Sequence, residues 1–242
     1  MRLPASPPPV PPGPPAPRAA ASPVARPSDR HVIGLAPGAA LEAGGQDARK
    51  YLSPGPTVAR LIDRWLRRLR RVVGDAPVVV DMGIGEGLAT ARITGPSTLV
   101  IGLDFRHDKL ALARDRLPWS LLVRADAGML PLSQASAPVV TCIEVLEHLV
   151  APDLAVAELS RITGDRCIFS VPWEPFFRLG NLARGKNLGR WGNDPEHVQH
   201  YSPTRLRAQL EPWFAEVRVR RCFPWLVAVG RRPRPGPPVR LP

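Results

Sequence analysis

A glycine-rich turn that follows an apolar segment is the feature of this sequence with the clearest chemical meaning. Residues 78–87 read VVVDMGIGEG, so an apolar run leads to Asp81 and then to Gly83, Gly85 and Gly87. Glycine lets the backbone turn tightly and approach a ligand without side-chain collision. The pattern therefore predicts a strand, a ligand-binding turn and a following helix.

Two classes of cofactor suit such a turn, dinucleotides and S-adenosylmethionine. A dinucleotide fingerprint G-x-G-x-x-G that starts at Gly83 needs Gly or Ala at position 88, where Leu88 stands. Asp81 and Glu86 would also repel a pyrophosphate, whereas the sulfonium and amino groups of S-adenosylmethionine are cationic. The turn therefore favours S-adenosylmethionine.

A second acid ends the next apolar segment. Asp104 closes residues 99–104, near the interval of about 20 residues at which an acid meets the ribose hydroxyls in Rossmann-type units. A carboxylate can accept a hydrogen bond from both hydroxyls. The alternative is that Asp104 caps the helix expected from Lys109 onward.

Apolar segments alternate with stretches of helical periodicity, which indicates a parallel sheet covered by helices on both faces. Because no helical stretch separates the last two strands, we expect them to form an antiparallel hairpin. The predicted fold is α/β, a Rossmann-like, doubly wound, seven-stranded and mostly parallel sheet that ends in this hairpin. We expect strands at 78–81, 99–104, 121–125, 139–143, 167–171, 217–222 and 225–229, and helices at 58–73, 88–93, 109–116, 153–163 and 203–210.

The composition divides the chain into one domain and two tails. Residues 1–30 are rich in Pro, Ala and Ser and are expected to be a disordered tail, and residues 231–242 a second tail rich in Pro and Arg. The domain is expected to span 31–230. Within it, the stretch 172–202 lacks periodicity and is predicted to form a lid or a wall of the acceptor pocket.

Two further segments follow predicted strands, RADAGMLP at 124–131 and IEVLEHL at 143–149. Together with the glycine turn they make the chain resemble class I S-adenosylmethionine-dependent methyltransferases, especially the quinone-biosynthesis branch. The resemblance implies methyl transfer from S-adenosyl-L-methionine to a small-molecule acceptor such as a quinone, a lipid-like molecule or a secondary metabolite. It assigns cofactor binding to Asp81, Gly83, Gly85, Gly87, Asp104, Asp126, Ala127 and Glu144.

Acidic and imidazole side chains after the fourth strand suggest a catalytic or metal site. Glu144 and His148 are four residues apart and would share one face of a helix. With Glu147 and His197 they could bind Mg²⁺ or Zn²⁺, similar to small-RNA 2′-O-methyltransferases. In the alternatives, Glu147 and His148 cap and pack the next helix, or His148, His197 or His200 acts as a metal-free general base.

Charge and aromatic residues bear on the partner. The formal net charge is +12, and its densest basic run lies on the amphipathic helix expected at 58–73. That run is either a solvated helix face or a surface for a membrane or acceptor. Trp173, Phe176 and Phe177 either wall an apolar acceptor pocket or belong to the core.

Three function classes stay open at this stage. A methyltransferase acting on a small molecule is favoured by the aromatic residues, and nucleic acid is an unlikely partner because the basic run precedes the cofactor turn. The alternatives are a metal-assisted RNA 2′-O-methyltransferase and a cofactor-binding protein without catalysis. Cys142, Cys167 and Cys222 lack CxxC spacing and are expected to be buried thiols of a cytoplasmic protein without a transmembrane segment, although peripheral membrane contact is compatible with it.

Overall fold

The computed structural model describes residues 51–52, 54–176 and 197–238. These ranges contain five α-helices, one short 3₁₀ helix and seven β-strands. In chain order they are α1 (Pro56–Val73), β1 (Val78–Met82), α2 (Thr90–Ile93), β2 (Leu99–Asp104), α3 (His107–Arg116), β3 (Leu121–Arg124), β4 (Ala137–Ile143), the 3₁₀ helix (Leu146–His148), α4 (Pro152–Ile162), β5 (Thr163–Pro172), α5 (Pro203–Leu210), β6 (Phe214–Cys222) and β7 (Trp225–Pro233).

The strands form one sheet in the order β3-β2-β1-β4-β5-β7-β6. β1 to β5 pair in parallel, and β7 is antiparallel to both β5 and β6. This confirms the predicted seven-stranded, mostly parallel sheet and its antiparallel hairpin. The carboxyl ends of β1, β2 and β4 meet at one edge of the sheet, where the glycine turn lies.

Helix α1 covers one face of the sheet with the apolar side that its periodicity predicted. Ile62, Leu66 and Leu69 are buried in the same cluster as residues of β1, β4, β5 and β7. The indole of Trp65 stacks on that of Trp225, with ring centroids 4.5 Å apart. The apolar side of α1 is therefore occupied by the protein itself.

Helices α4 and α5 cover the opposite face. Leu159, Leu206 and Leu210 are buried there with Phe169 and Phe214, whose rings meet edge to face at 5.9 Å. A sheet covered on both faces explains why the central strands read as continuous apolar runs.

Several boundaries differ from the prediction. β7 continues through Pro233, and Arg231 pairs with Arg166 of β5, so the tail expected from residue 231 begins too early. β6 starts at Phe214, earlier than the predicted start at residue 217. Its polar residues alternate with apolar ones, as on an edge strand, so its first residues do not form a continuous apolar run. The described residues do not include 1–50, 53, 177–196 and 239–242. Phe177 therefore lies outside them.

The three cysteines lie in the core, as expected from their apolar neighbours. Cys142, Cys167 and Cys222 are free thiols and buried. Burial raises the pKa of each thiol above its ordinary value, which disfavours the nucleophilic thiolate. No helix in the described ranges combines the length and apolar composition needed to cross a bilayer.

Candidate active site

The glycine turn stands at the carboxyl end of β1, between β2 and β4. Gly83, Gly85 and Gly87 all have positive φ, at 75°, 53° and 74°, a region that side chains other than hydrogen disfavour. The amides of Gly83 and Ile84 donate to the carbonyl of Leu103, at 2.7 and 3.1 Å. The turn is therefore held by its own backbone against β2.

Packing gives two of these glycines different roles. A Cβ on Gly83 would lie 2.3 Å from Cγ2 of Val145, so the turn packs directly against the segment that follows β4. A Cβ on Gly85 would meet no atom within 4 Å. Gly85 therefore faces open space, as a backbone that receives a ligand must.

Asp104 fixes the turn from the end of β2. Its Oδ2 accepts a hydrogen bond from the amide of Gly85 at 2.8 Å, and its Oδ1 accepts one from the amide of Arg106 at 2.9 Å. The second bond lies just before α3, which starts at His107. One carboxylate thus orders the glycine turn and the entry to the next helix.

Asp81 lies behind the turn and is 3% exposed. Its Oδ1 accepts a hydrogen bond from the hydroxyl of Thr141 at 2.6 Å, and its Oδ2 accepts one from the hydroxyl of Thr90. Burial, only partly offset by these two bonds, raises the pKa of Asp81 from 3.8 to about 6. Both oxygens are engaged within the protein, so Asp81 ties β1 to β4 and α2.

Glu86 does not present its charge to a cofactor, which corrects part of the electrostatic argument from the sequence. Its side chain is buried, with Oε1 2.7 Å from Nζ of Lys109 and Oε2 3.5 Å from Nη1 of Arg116. These two cations come from α3. The charge of Glu86 is therefore balanced within the protein.

Asp126 and Ala127 follow β3 at the same edge of the sheet. The amide of Ala125 donates to the carbonyl of Asp104 at 3.0 Å, which keeps this turn beside β2. Oδ1 of Asp126 accepts a hydrogen bond from the amide of Gly128 at 2.7 Å. The exposed Asp126 and the half-buried Ala127 thus stand next to the turn that Asp104 orders.

Glu144 is not on a helix, so the expectation that it shares a helical face with His148 is wrong. Its φ is 56°, and the 3₁₀ helix begins only at Leu146. Its carboxylate accepts hydrogen bonds from Nε1 of Trp225 at 2.7 Å and from the hydroxyl of Tyr51 at 3.3 Å. The sequence carried no signal for these partners, because they lie 81 and 93 positions away.

Glu147, His148 and His197 come together, while Glu144 lies outside their group. One ligand atom from each of the three lies within 4.8 Å of the others, and the two imidazole rings are 5.1 Å apart. The carbonyl of Glu147 accepts hydrogen bonds from the amides of Val198 and Gln199 at 2.9 and 3.0 Å. The buried Glu147 thus anchors the segment that carries His197.

The same segment leads to an aromatic group. Tyr201 pairs with Trp173. The half-buried His200 precedes Tyr201 in the chain and lies outside the cluster of Glu147, His148 and His197, which we call the Glu147 group. The ring centroids of Trp173 and Phe176 are 4.6 Å apart, and those of Phe176 and Phe223 are 5.6 Å apart.

This aromatic wall, defined as Trp173, Phe176 and Phe223, is open to solvent. Phe176 is 37% exposed and Phe223 43% exposed, so neither belongs to the core. The guanidinium of Arg221 lies 5.1 Å from the centre of the Trp173 ring. Phe223 lies on the β6–β7 turn, and Arg221 lies beside it. The sequence analysis predicted neither residue as part of the site.

Comparisons with known proteins agree with this geometry. The family described as "Methyltransferase domain" matches residues 80–170, from β1 to β5. A demethylmenaquinone methyltransferase of Lactobacillus johnsonii is 28% identical over 174 residues, which cover 61% of this chain and 70% of the relative. One of Streptomyces avermitilis is 29% identical over 120 residues, covering 46% of this chain and 52% of the relative.

A solved structure supports the same fold. Magnesium protoporphyrin IX methyltransferase from Synechocystis, crystallised with bound S-adenosylhomocysteine, superposes with a TM-score of 0.55 at 15% identity, covering 76% of this chain and 91% of that chain. Together with the sheet order and the glycine turn, these matches support a class I S-adenosylmethionine-dependent methyltransferase, with the family match itself spanning residues 80–170.

Asp104→Ala is expected to weaken cofactor binding by more than tenfold, or about 1.4 kcal/mol or more, because the amide of Gly85 loses its anchor. Asp104→Asn keeps one acceptor oxygen and should lose less. Calorimetric titration with S-adenosylmethionine measures both. Asp108→Ala, an exposed acid on α3, is the matched control, and equal affinities for all variants would remove Asp104 from cofactor binding.

Asp81 should make the protein less stable as pH rises. The folded protein holds the Asp81 proton up to a pKa of about 6, against the ordinary value of 3.8, so stability present below pH 4 is lost as pH passes 6. From pH 4 to pH 7 the wild type should lose about 2 kcal/mol relative to Asp81→Asn, measured by urea unfolding. Curves that run parallel over this range would show that Asp81 ionises freely in the fold.

Proposed function

We propose that this methyltransferase methylates a small, apolar acceptor, such as a quinone ring or another lipid-like molecule. The observation that carries the proposal is the position of the aromatic wall. The aromatic wall is connected through residues 197–201 to the Glu147 group. In the chain this group follows Val145, which packs on the glycine turn. Acceptor, base and cofactor would therefore meet at one edge of the sheet.

The cofactor side of the site would be built mostly from backbone. We assign Gly83, Gly85 and Gly87 to the methionine part of the cofactor, Asp104 to the ribose, and Asp126 with Ala127 to the adenine. Asp81 would act as a positioning residue, since its oxygens accept hydrogen bonds from Thr90 and Thr141. S-adenosylmethionine supplies a methyl group on a cationic sulfur, which an in-line nucleophile can attack.

The acceptor side would bind by apolar contact. Three aromatic rings that touch edge to face and remain partly exposed can enclose a flat, apolar ring. The demethylmenaquinone methyltransferases among the relatives are named for a quinone acceptor. Holding the nucleophile and methyl in near-attack geometry would then supply much of the rate.

Glu144 would complete this side of the pocket rather than touch a metal. Its carboxylate holds the hydroxyl of Tyr51 and the indole of Trp225, and Trp225 follows the β6–β7 turn that carries Phe223. Glu144 thereby links the segment after β4 to the aromatic wall. We assign it to the shape of the acceptor pocket.

A hydroxyl acceptor needs a base, and His148 and His197 are our candidates for it. An oxygen of Glu147 lies within 4.8 Å of a nitrogen of each imidazole, so its charge would stabilise the protonated form of either ring. The same three residues have the donor types of a Mg²⁺ or Zn²⁺ site, so a divalent metal is the second form of the proposal. His200 lies outside the group of three and is the weaker candidate.

An acceptor series tests the proposed function. Purified protein with labelled S-adenosylmethionine should methylate reduced naphthoquinones, and Phe223→Ala should raise KM about tenfold with kcat nearly unchanged, because uniform apolar binding is lost. Leu99→Ala, at the amino end of β2 and 40% exposed, is the matched control. Transfer to RNA 3′ ends and to no quinone would overturn the proposal.

Variants of the Glu147 group separate a base from a metal. If one histidine is the base, its replacement by alanine should lower kcat by about 10²–10⁴-fold at unchanged cofactor affinity, while a chelator has no effect. If a metal is used, Glu147→Gln, His148→Ala and His197→Ala should all abolish turnover, and a chelator should do so reversibly. His107→Ala, an exposed histidine on α3, is the control, and full activity in all three variants would exclude both roles.

A further inference from the structure

The exposed side of α1 and the edge strand β6 form one strongly basic surface, which we call the arginine face. On α1, the exposed guanidinium groups are spaced by three and four residues and so lie along one side of the helix. On β6, two exposed arginines alternate with half-buried and buried residues. The members are Arg60, Arg64, Arg67 and Arg71 of α1 and Arg218 and Arg220 of β6.

Contacts show that the two elements contribute to the same surface. Cys222, at the end of β6, is buried in the cluster under α1, and the cations of Arg64 and Arg68 lie near enough to lower the pKa of its thiol against the larger effect of burial. Side chains two and four residues earlier in a strand point to the same side. Arg218 and Arg220 therefore face the α1 side of the sheet.

The arginine face carries uncompensated charge. Among the described residues, none of its six members forms an ion pair with an acidic side chain. The single acid of α1, Asp63, is paired with Arg92 of α2 instead. Some exposed arginines elsewhere do have acidic partners, in the pairs Arg106–Asp108, Arg207–Glu211, Arg231–Asp165 and Arg232–Glu216.

The arginine face leads to the mouth of the acceptor pocket. Nη2 of Arg64 donates to the carbonyl of Phe223 at 2.7 Å, and Phe223 belongs to the aromatic wall. The exposed sides of α1 and β6 carry no large apolar residue within the described ranges. Positive charge and exposed rings are therefore neighbours, with the rings gathered at one end.

We infer that the arginine face docks the enzyme on an anionic phospholipid surface, so that the aromatic wall meets an acceptor held in the bilayer. The inference rests on the proposed lipid-like acceptor. Clustered arginines attract an anionic leaflet electrostatically, and the apolar side of α1 is already packed on the sheet, so docking needs no inserted helix. Single-stranded nucleic acid suits this surface less well. Its bases stack on aromatic rings that are placed among basic residues, whereas here the rings are gathered at one end of the arginine face.

Vesicle sedimentation with the full chain tests the docking surface. Binding to phosphatidylcholine vesicles that contain phosphatidylglycerol is expected at low salt, and little binding to phosphatidylcholine alone. Arg60→Glu, Arg67→Glu and Arg71→Glu together should lower the partition coefficient about a hundredfold or more, from the loss of three surface charges. Arg64 is left intact to keep its bond to Phe223.

A matched variant carries the same change of net charge elsewhere, with Arg114→Glu, Arg207→Glu and Arg234→Glu, which are exposed and lie off the arginine face. It should bind vesicles like the wild type. Equal loss in both triple variants, or binding that survives high salt, would overturn the inference. So would tight, arginine-dependent binding of RNA without binding of anionic vesicles.

Activity separates this inference from the proposed function. With a short-chain quinone in solution, the arginine-face variant should keep wild-type turnover, whereas with a long-chain quinone in anionic vesicles it should lose at least tenfold. If the wild type methylates no quinone in either form, the proposed function fails, and the vesicle measurement still decides whether the arginine face binds lipid. Equal turnover of both variants on vesicle-bound quinone would contradict the docking role.

Discussion

A buried carboxylate holds the centre of this fold together. Asp81 accepts hydrogen bonds from hydroxyls on β4 and α2, so the end of β1 is fixed before the chain enters the glycine turn. A buried polar group is costly unless it is hydrogen-bonded, and Thr90 and Thr141 meet that requirement. This fixed end of β1 positions the turn, its hydrogen bonds to β2 and its contact with Val145.

The acids around the turn illustrate how a fold redistributes charge. Glu86 is balanced by Lys109 and Arg116, Asp81 is buried, and Asp104 accepts backbone amides. The proposed cofactor surface would therefore be made largely of backbone, with Asp104 as its principal carboxylate. The six arginines of the arginine face follow the opposite course, since they stay exposed and have no acidic partner among the described residues.

The change from parallel to antiparallel pairing shapes the acceptor side. Because β7 runs against β5, the β6–β7 turn returns to the edge where β4 and β5 end. Phe223 thereby reaches Phe176, and Trp225 reaches Glu144. The segment 197–201 connects Trp173 to Glu147. The members of the proposed catalytic and acceptor site come from several separate segments of the chain, which meet at this edge of the sheet.

The sequence by itself determined the order of the strands and helices, the glycine turn, the acid at the end of β2 and the apolar side of α1, because each depends on local periodicity or on the φ that only glycine readily adopts. It also indicated that Glu147, His148 and His197 belong together. Only the tertiary structure decided that Glu144 turns to Tyr51 and Trp225, that Glu86 is neutralised by α3, and that Arg218 and Arg220 extend the basic side of α1. These depend on contacts between residues far apart in the chain, where burial and pairing, which no local pattern encodes, select the partner of each side chain.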